Sequence, residues 1–241
     1  MHSLSIEVQK LRRAGVIGTL MLAGAAGSIY AVMNWVGRKE VLLAADINPM
    51  SVLLTQLYGV ICLLNIFAII VITSNIYYIE HQNNGLKRMR TLPIKISEIF
   101  TSKLVILSGT LLIAYVIEFT TLALLGNLYL PKETFDFIVL IQFAFYVFLI
   151  SLPCLTLMLM VSMLSANLWI TIGIGVVGFF SGMSMVAMDT AVNTLNPFAL
   201  ILKPAMSLSA EVDLIMLMIS VIETIIFVAI GIFIANKRKE E

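Results

Sequence analysis

Charge is scarce in this sequence. Of its 241 residues, 12% are Asp, Glu, Lys or Arg and 60% are hydrophobic, whereas soluble domains carry roughly 25% charged and about 45–50% apolar residues. An apolar surplus of that size needs lipid as its solvent. The formal net charge of +1 gives no basic footprint, so no nucleic-acid partner is expected. Cysteine is rare too. Cys62 and Cys154 both fall inside apolar runs, with no CxxC and no Cys/His companion, so no metal or redox site is expected and both read as small buried hydrophobes. The two histidines, His2 and His81, show no metal-ligand spacing. Catalytic signatures are missing as well: there is no GxxxxGK[ST] phosphate loop, no HExxH and no GxSxG. No catalytic residue, metal or bound cofactor is therefore assigned to this chain.

Long apolar runs are what the sequence does have. Six are long enough to cross a hydrocarbon core, which takes about 20 helical residues. They lie near Gly15 to Val36, Ser51 to Tyr78, Leu104 to Gly126, Phe137 to Leu164, Leu168 to Met188 and Leu214 to Ala235. Runs such as Ile66-Phe67-Ala68-Ile69-Ile70-Val71-Ile72 lack the two-residue alternation of a barrel strand, so each span is expected to be a helix that pairs its backbone groups internally. The fold class is thus all-α integral membrane, as one transmembrane domain over residues 1–241. The first run begins only after Arg13 and has no convincing cleavage pattern, and it reads as a retained span rather than a signal peptide.

Basic residues set the orientation. With the amino terminus inside, the cytoplasmic segments hold eleven: Lys10, Arg12, Arg13, Lys87, Arg88, Arg90, Lys95, Lys103, Lys237, Arg238 and Lys239. The outer segments hold four: Arg38, Lys39, Lys132 and Lys203. A multi-pass protein with both termini cytoplasmic is expected. Before the first span, Leu4, Val8 and Leu11 share one helical face, which predicts an amphipathic helix lying in the cytoplasmic interface, or else a basic flank without fixed structure. Between the fifth and sixth spans, Phe198 to Leu202 is too apolar for a solvated loop and too short to span. Asn196-Pro197 and Lys203-Pro204 interrupt this stretch, predicting a pair of short helices re-entering the outer leaflet.

Two carboxylates fall within spans, Glu118 in the third and Glu223 in the sixth. Charge at membrane depth is costly, so such groups face a bundle interior or a cavity. They are candidate substrate-cavity residues for a cationic cargo or a proton, or protonated or hydrogen-bonded carboxyls that hold helices together. Glycines cluster in the first span and in the fifth, where Gly178-Phe179-Phe180-Ser181-Gly182 forms a GxxxG. That motif allows close helix approach within one chain or across a dimer seam. Pro153 removes a backbone donor from the fourth span and should kink it.

The sizeable inner loop reads Glu80-His81-Gln82-Asn83-Asn84-Gly85-Leu86-Lys87-Arg88-Met89-Arg90-Thr91-Leu92-Pro93-Ile94 and reaches Ser102-Lys103 at the third span. Asn84-Gly85 suits a turn and Pro93 the first turn of a following helix. Leu86, Met89 and Leu92 then offer an apolar ridge among Lys87, Arg88 and Arg90. An acidic residue closing a span, an Asn-Gly turn, a basic amphipathic stretch, Leu-Pro and Ser-Lys together resemble the permeases of type-2 ABC exporters. The likeness extends over nearly the whole chain, and its size and loop look most like the lantibiotic-immunity subgroup. The resemblance implies that Glu80, Asn84, Gly85, Leu86, Lys87, Arg88, Met89, Leu92 and Pro93 belong to a coupling segment that docks on an ATP-binding cassette subunit. It also implies a second permease copy or a related permease, with ATP and Mg2+ held by the partner ATPase. The location implied is a bacterial plasma membrane, and the cargo an amphipathic peptide such as a bacteriocin. Export of small drugs or other hydrophobic cargo is the alternative within the same family. Outside it stand an ion-driven secondary transporter using Glu118 and Glu223, for which no inverted repeat is visible, and a membrane-bound sensor or assembly factor. Basic residues in the loop can also anchor anionic lipid headgroups.

Overall fold

The structure, a computed structural model, describes residues 7–11, 15–43, 48–81, 96–131, 134–188, 194–207 and 209–237. Among the described residues it is helical without strands. Seven long or medium helices follow a short helical segment at 7–11: α1 (Val16–Leu43), α2 (Pro49–His81), α3 (Ile96–Tyr129), α4 (Phe137–Leu164), α5 (Leu168–Met188), α6 (Pro197–Met206) and α7 (Leu214–Lys237). Six of them, all but α6, are long and apolar enough to cross a membrane.

Polar caps mark where several helices begin. Asn48 accepts from Met50 N–H at 2.9 Å, Asp136 from Ile138 N–H at 2.8 Å, Asn167 from Trp169 N–H at 2.9 Å, Asn196 from Phe198 N–H at 2.9 Å, and Asp213 from Ile215 N–H at 3.0 Å. Each satisfies a backbone donor that has no intrahelical partner. Four helices run past the expected spans, α7 by only two residues. α2 and α3 have 33 and 34 residues, about 50 Å at 1.5 Å per residue, and α1 continues to Leu43. An apolar window marks only the part of a helix that needs lipid. The polar first turns of α3, with Glu98 at its start, are helical all the same, and an acid suits the positive end of the helix dipole.

Burial separates a centre from a periphery. In their most apolar stretches α2 is 67% buried and α4 61%, against 28% for α1 and α5 and 17% for α7. α2 packs on α1, α3, α4, α5 and α6; α4 packs on α2, α3, α6 and α7. The outward faces of α1, α5 and α7 expose Leu22, Met33, Trp169, Val177, Ile215 and Phe233, as lipid-facing helices do. α4 runs through Pro153 as one helix.

The segment after α5 differs from expectation. Asn196-Pro197 opens α6 as cap and first helical residue, the position that suits proline best, but Lys203-Pro204 does not divide it. Pro204 stands near the end of a ten-residue helix that closes at Met206. Less than a turn lies beyond Pro204, so its missing N–H costs little regular structure. Most of α6 is buried against α2, α4 and α5. Its Ile201 carbonyl accepts from Tyr58 Oη at 3.1 Å and from Cys62 Sγ at 3.1 Å. Cys62 and Cys154 are both buried free thiols. The GxxxG of α5 is occupied from within the chain: a Cβ at Gly178 would lie 2.4 Å from the Phe198 ring, and one at Gly182 2.9 Å from the Ala199 backbone nitrogen.

Candidate functional site: a buried ion cluster at the base of the loop

α2 ends and α3 begins at the basal end of the bundle, on either side of residues 82–95. Glu80, in the last turn of α2, and Lys103, two turns into α3, meet there at 2.6 Å. Lys103 is fully buried and Glu80 nearly so, at 0% and 3% exposure. The helical segment at 7–11 completes the cluster. Glu7 accepts from Lys103 Nζ at 2.7 Å, and Lys10 donates to Glu7 at 3.3 Å and also to Glu80. The Lys103 ammonium also lies 5.4 Å from the centre of the Tyr77 ring, a cation–π contact. Two acids and two bases thus cancel, with Glu7, Glu80 and Lys103 buried and Lys10 at the rim, its side chain 36% exposed. Burial acts to lower the Lys10 pKa, but the attraction of Glu80 and then Glu7, with hydrogen bonds to both, outweighs it and raises the group above the ordinary lysine value.

The 7–11 segment is therefore turned differently from its predicted apolar face. Leu11 is buried, but Val8 is 37% exposed and Glu7 faces inward. An ion partner on α3 outweighs the burial of one valine. Leu4 lies outside the described residues.

Halfway along the bundle sits a second polar site. Glu118 of α3 is fully buried and accepts from Asn65 Nδ2 of α2 at 2.9 Å. Its other oxygen, Oε1, and Asn65 Oδ1 meet no hydrogen-bond donor among the described residues. Gly27 of α1 makes room for this carboxyl, since a Cβ there would stand 2.8 Å from Glu118 Oε1. Gly24 brings α1 close to Ala114 in the same way. Glu223 lies elsewhere, on the inward stripe of α7 with Met216 and Ser220. No hydrogen bond or ion pair joins it to Glu118 among the described residues.

Cavities open on the bundle at two levels relevant to the buried carboxyls. An apolar groove of about 370 Å³ opens sideways between α3 and α4, lined by Leu112, Tyr115, Val116, Phe119, Phe137 and Phe145 among others. At the end opposite the ion cluster, a mixed cavity of about 610 Å³ is walled by Asn48, Ser51, Asp136, Gln142, Ser209 and Glu211. Glu118 and Glu223 line neither.

The model of the ABC-2 family transporter proteins matches residues 3–182, well over half of the chain and inclusive of the ion cluster and residues 82–95. The chain belongs to the ABC-2 transporter family. No curated protein matches it, and no solved structure does. As an ABC-2 permease it is a multi-pass membrane subunit, and in such systems the ATPase is a separate ATP-binding cassette subunit.

Of the permease's expected coupling residues, Asn84, Gly85, Leu86, Lys87, Arg88, Met89, Leu92 and Pro93 lie outside the described residues. Glu80 is described, and its carboxylate points into the ion cluster rather than outward. The sequence pattern alone did not reveal Glu7 or the pairing of Lys103. A signal was present: an acid closes one apolar run, a base opens the next, and Glu7 and Lys10 stand three apart on a helix, within pairing reach.

Proposed function

We propose that the permease is the membrane-spanning half of a bacterial exporter, driven by an ATP-binding cassette subunit that docks on the loop at 82–95. The tied base of that loop carries the reading. Glu80 and Lys103 join its two stems, so force applied by a closing ATPase reaches α2 and α3 together instead of bending one stem. The excess of basic residues in this loop and both terminal segments puts them on the cytoplasmic side. A second permease, identical or related, covers exposed faces of the bundle. α6 has ten residues, which make a helix about 15 Å long; it dips into the outer leaflet, and the 7–11 segment lies at the inner interface.

The cargo is an amphipathic peptide of the bacteriocin kind, taken from the bilayer. The groove between α3 and α4 supports this, because it opens sideways where a membrane-dissolved molecule would arrive. Its apolar lining equally favours a second reading, export of small hydrophobic drugs.

Copurification tests the docking. Gly85→Val strains the Asn-Gly turn and Leu86→Asp puts a charge on the apolar ridge. Each should reduce recovery of the ATPase while the permease still inserts, and full recovery with both would make the loop a lipid anchor. For cargo, cells making both subunits should survive a higher dose of a cationic membrane-active peptide. Protection against small hydrophobic drugs alone would select the second reading.

A further inference from the structure

The four ions of the basal cluster divide into two halves, each neutral by itself. Glu7 and Lys10 share one helical turn and already contact each other at 3.3 Å. Glu80 and Lys103 form the other pair at 2.6 Å. Docking the 7–11 segment adds two cross-contacts, Lys103 to Glu7 at 2.7 Å and Lys10 to Glu80. Removing one member of a buried ion pair is strongly destabilising because a charge is left without compensation. Separating these halves leaves none: each carboxylate keeps an ammonium, and the segment carries its own pair into water. The apolar hold on the segment is small among the described residues, with Leu11 buried and Val8 exposed. Such an arrangement is firm when closed and yet able to open without stranding a charge.

We propose that Glu7, Lys10, Glu80 and Lys103 are positioning residues in a releasable latch, in which the amino-terminal segment docks across the stems of the loop and detaches during the transport cycle. Closed, the latch braces α2 and α3 as one lever. Open, it frees their ends to separate. The coupling role rests on the exporter reading; the latch itself does not, and the two are tested apart.

The reporter is a cysteine in place of Leu11, which is 2% exposed when docked, in a full-length chain carrying Cys62→Ala and Cys154→Ala. Its labelling rate with a small maleimide is read in membranes. Swapping one half, as Glu80→Lys with Lys103→Glu, keeps that pair neutral but reverses both cross-contacts. Lys10 then faces a second ammonium on α2, and Glu7 a second carboxylate on α3. Labelling should quicken about tenfold or more, the response to losing roughly 1.4 kcal/mol of docking. Adding Glu7→Lys and Lys10→Glu swaps all four and should restore slow labelling. Unchanged labelling in the half swap, or fast labelling that the full swap leaves fast, overturns the latch. If the swapped chains fail to reach the membrane, Glu7→Gln with Lys10→Gln leaves the Glu80–Lys103 pair intact and decides the same point: fast labelling supports docking by charge, and slow labelling rejects it. Release is read in the unswapped chain with its ATPase, comparing no nucleotide with ATP and vanadate. A several-fold change in rate supports a latch, and an equal rate makes the cluster a fixed staple. Failure of the ATPase to bind would remove the exporter reading while the swap results stand.

Discussion

At the basal end four charges cancel within one cluster, whereas halfway along the bundle a single carboxyl, Glu118, is met by one amide and a glycine. Both sites are buried, yet they are held by different means. Near the helix ends, ions of both signs from the 7–11 segment, α2 and α3 reach the same depth. Lys103 is then satisfied by charge, and removing one of the four charges alone leaves another uncompensated. Around Glu118 the described residues offer dipoles and close packing. Hydrogen bonds between membrane helices contribute modestly, because alternative partners exist before packing. The lesson is that burial alone does not rank these residues; the number of charges that depend on each one does.

The largest expected effect breaks the first site. Lys103→Met leaves Glu7 and Glu80 in a buried pocket without their shared ammonium, at a cost of about 3–5 kcal/mol. A sharp fall in the thermal half-life of the detergent-extracted permease should register it. A loss no larger than that of Glu118→Gln would erase the distinction between the two sites. Next comes Glu118→Leu, which strands the Asn65 amide and should cost about 1–3 kcal/mol. Glu118→Gln keeps an acceptor for Asn65 and should stay within about 1 kcal/mol of the parent. A smaller effect than that of Glu118→Leu is also expected at Gly27→Ala. Its methyl presses on Glu118 Oε1 but can push the end of a flexible side chain aside, for about 1 kcal/mol. Gly18→Ala, with open space around it, serves as the neutral control. If Gly27→Ala matches Lys103→Met in the same assay, packing at the middle site matters as much as charge at the base.

Much of the fold was legible in the residues. Continuous apolar runs such as Ile66 to Ile72 dictate helices, because a backbone in lipid must pair within its own segment. Asn196-Pro197 reads as a break and opens α6, whereas the caps Asn48, Asp136, Asn167 and Asp213 emerge only in the structure. The stripe of Met216, Ser220 and Glu223 on α7 likewise follows helical spacing. The candidate site was legible only in part. Glu80 and Lys103 stand 23 positions apart and Glu7 another 73 before Glu80, and no local pattern states that three such separated charges share one pocket.

The sequence by itself determined an all-helical membrane protein with six spans and no motif for nucleotide chemistry of its own, since those follow from composition and run length. Tertiary structure alone decided which buried polar groups meet. It turned Glu7 inward where an apolar face was expected, seated Glu118 on Asn65 beside Gly27, and filled the GxxxG groove of α5 with α6 of the same chain. The physical reason is one of range. Helix formation depends on neighbours within a few residues, whereas the pairing of ions and the seating of a glycine depend on how distant helices are brought side by side.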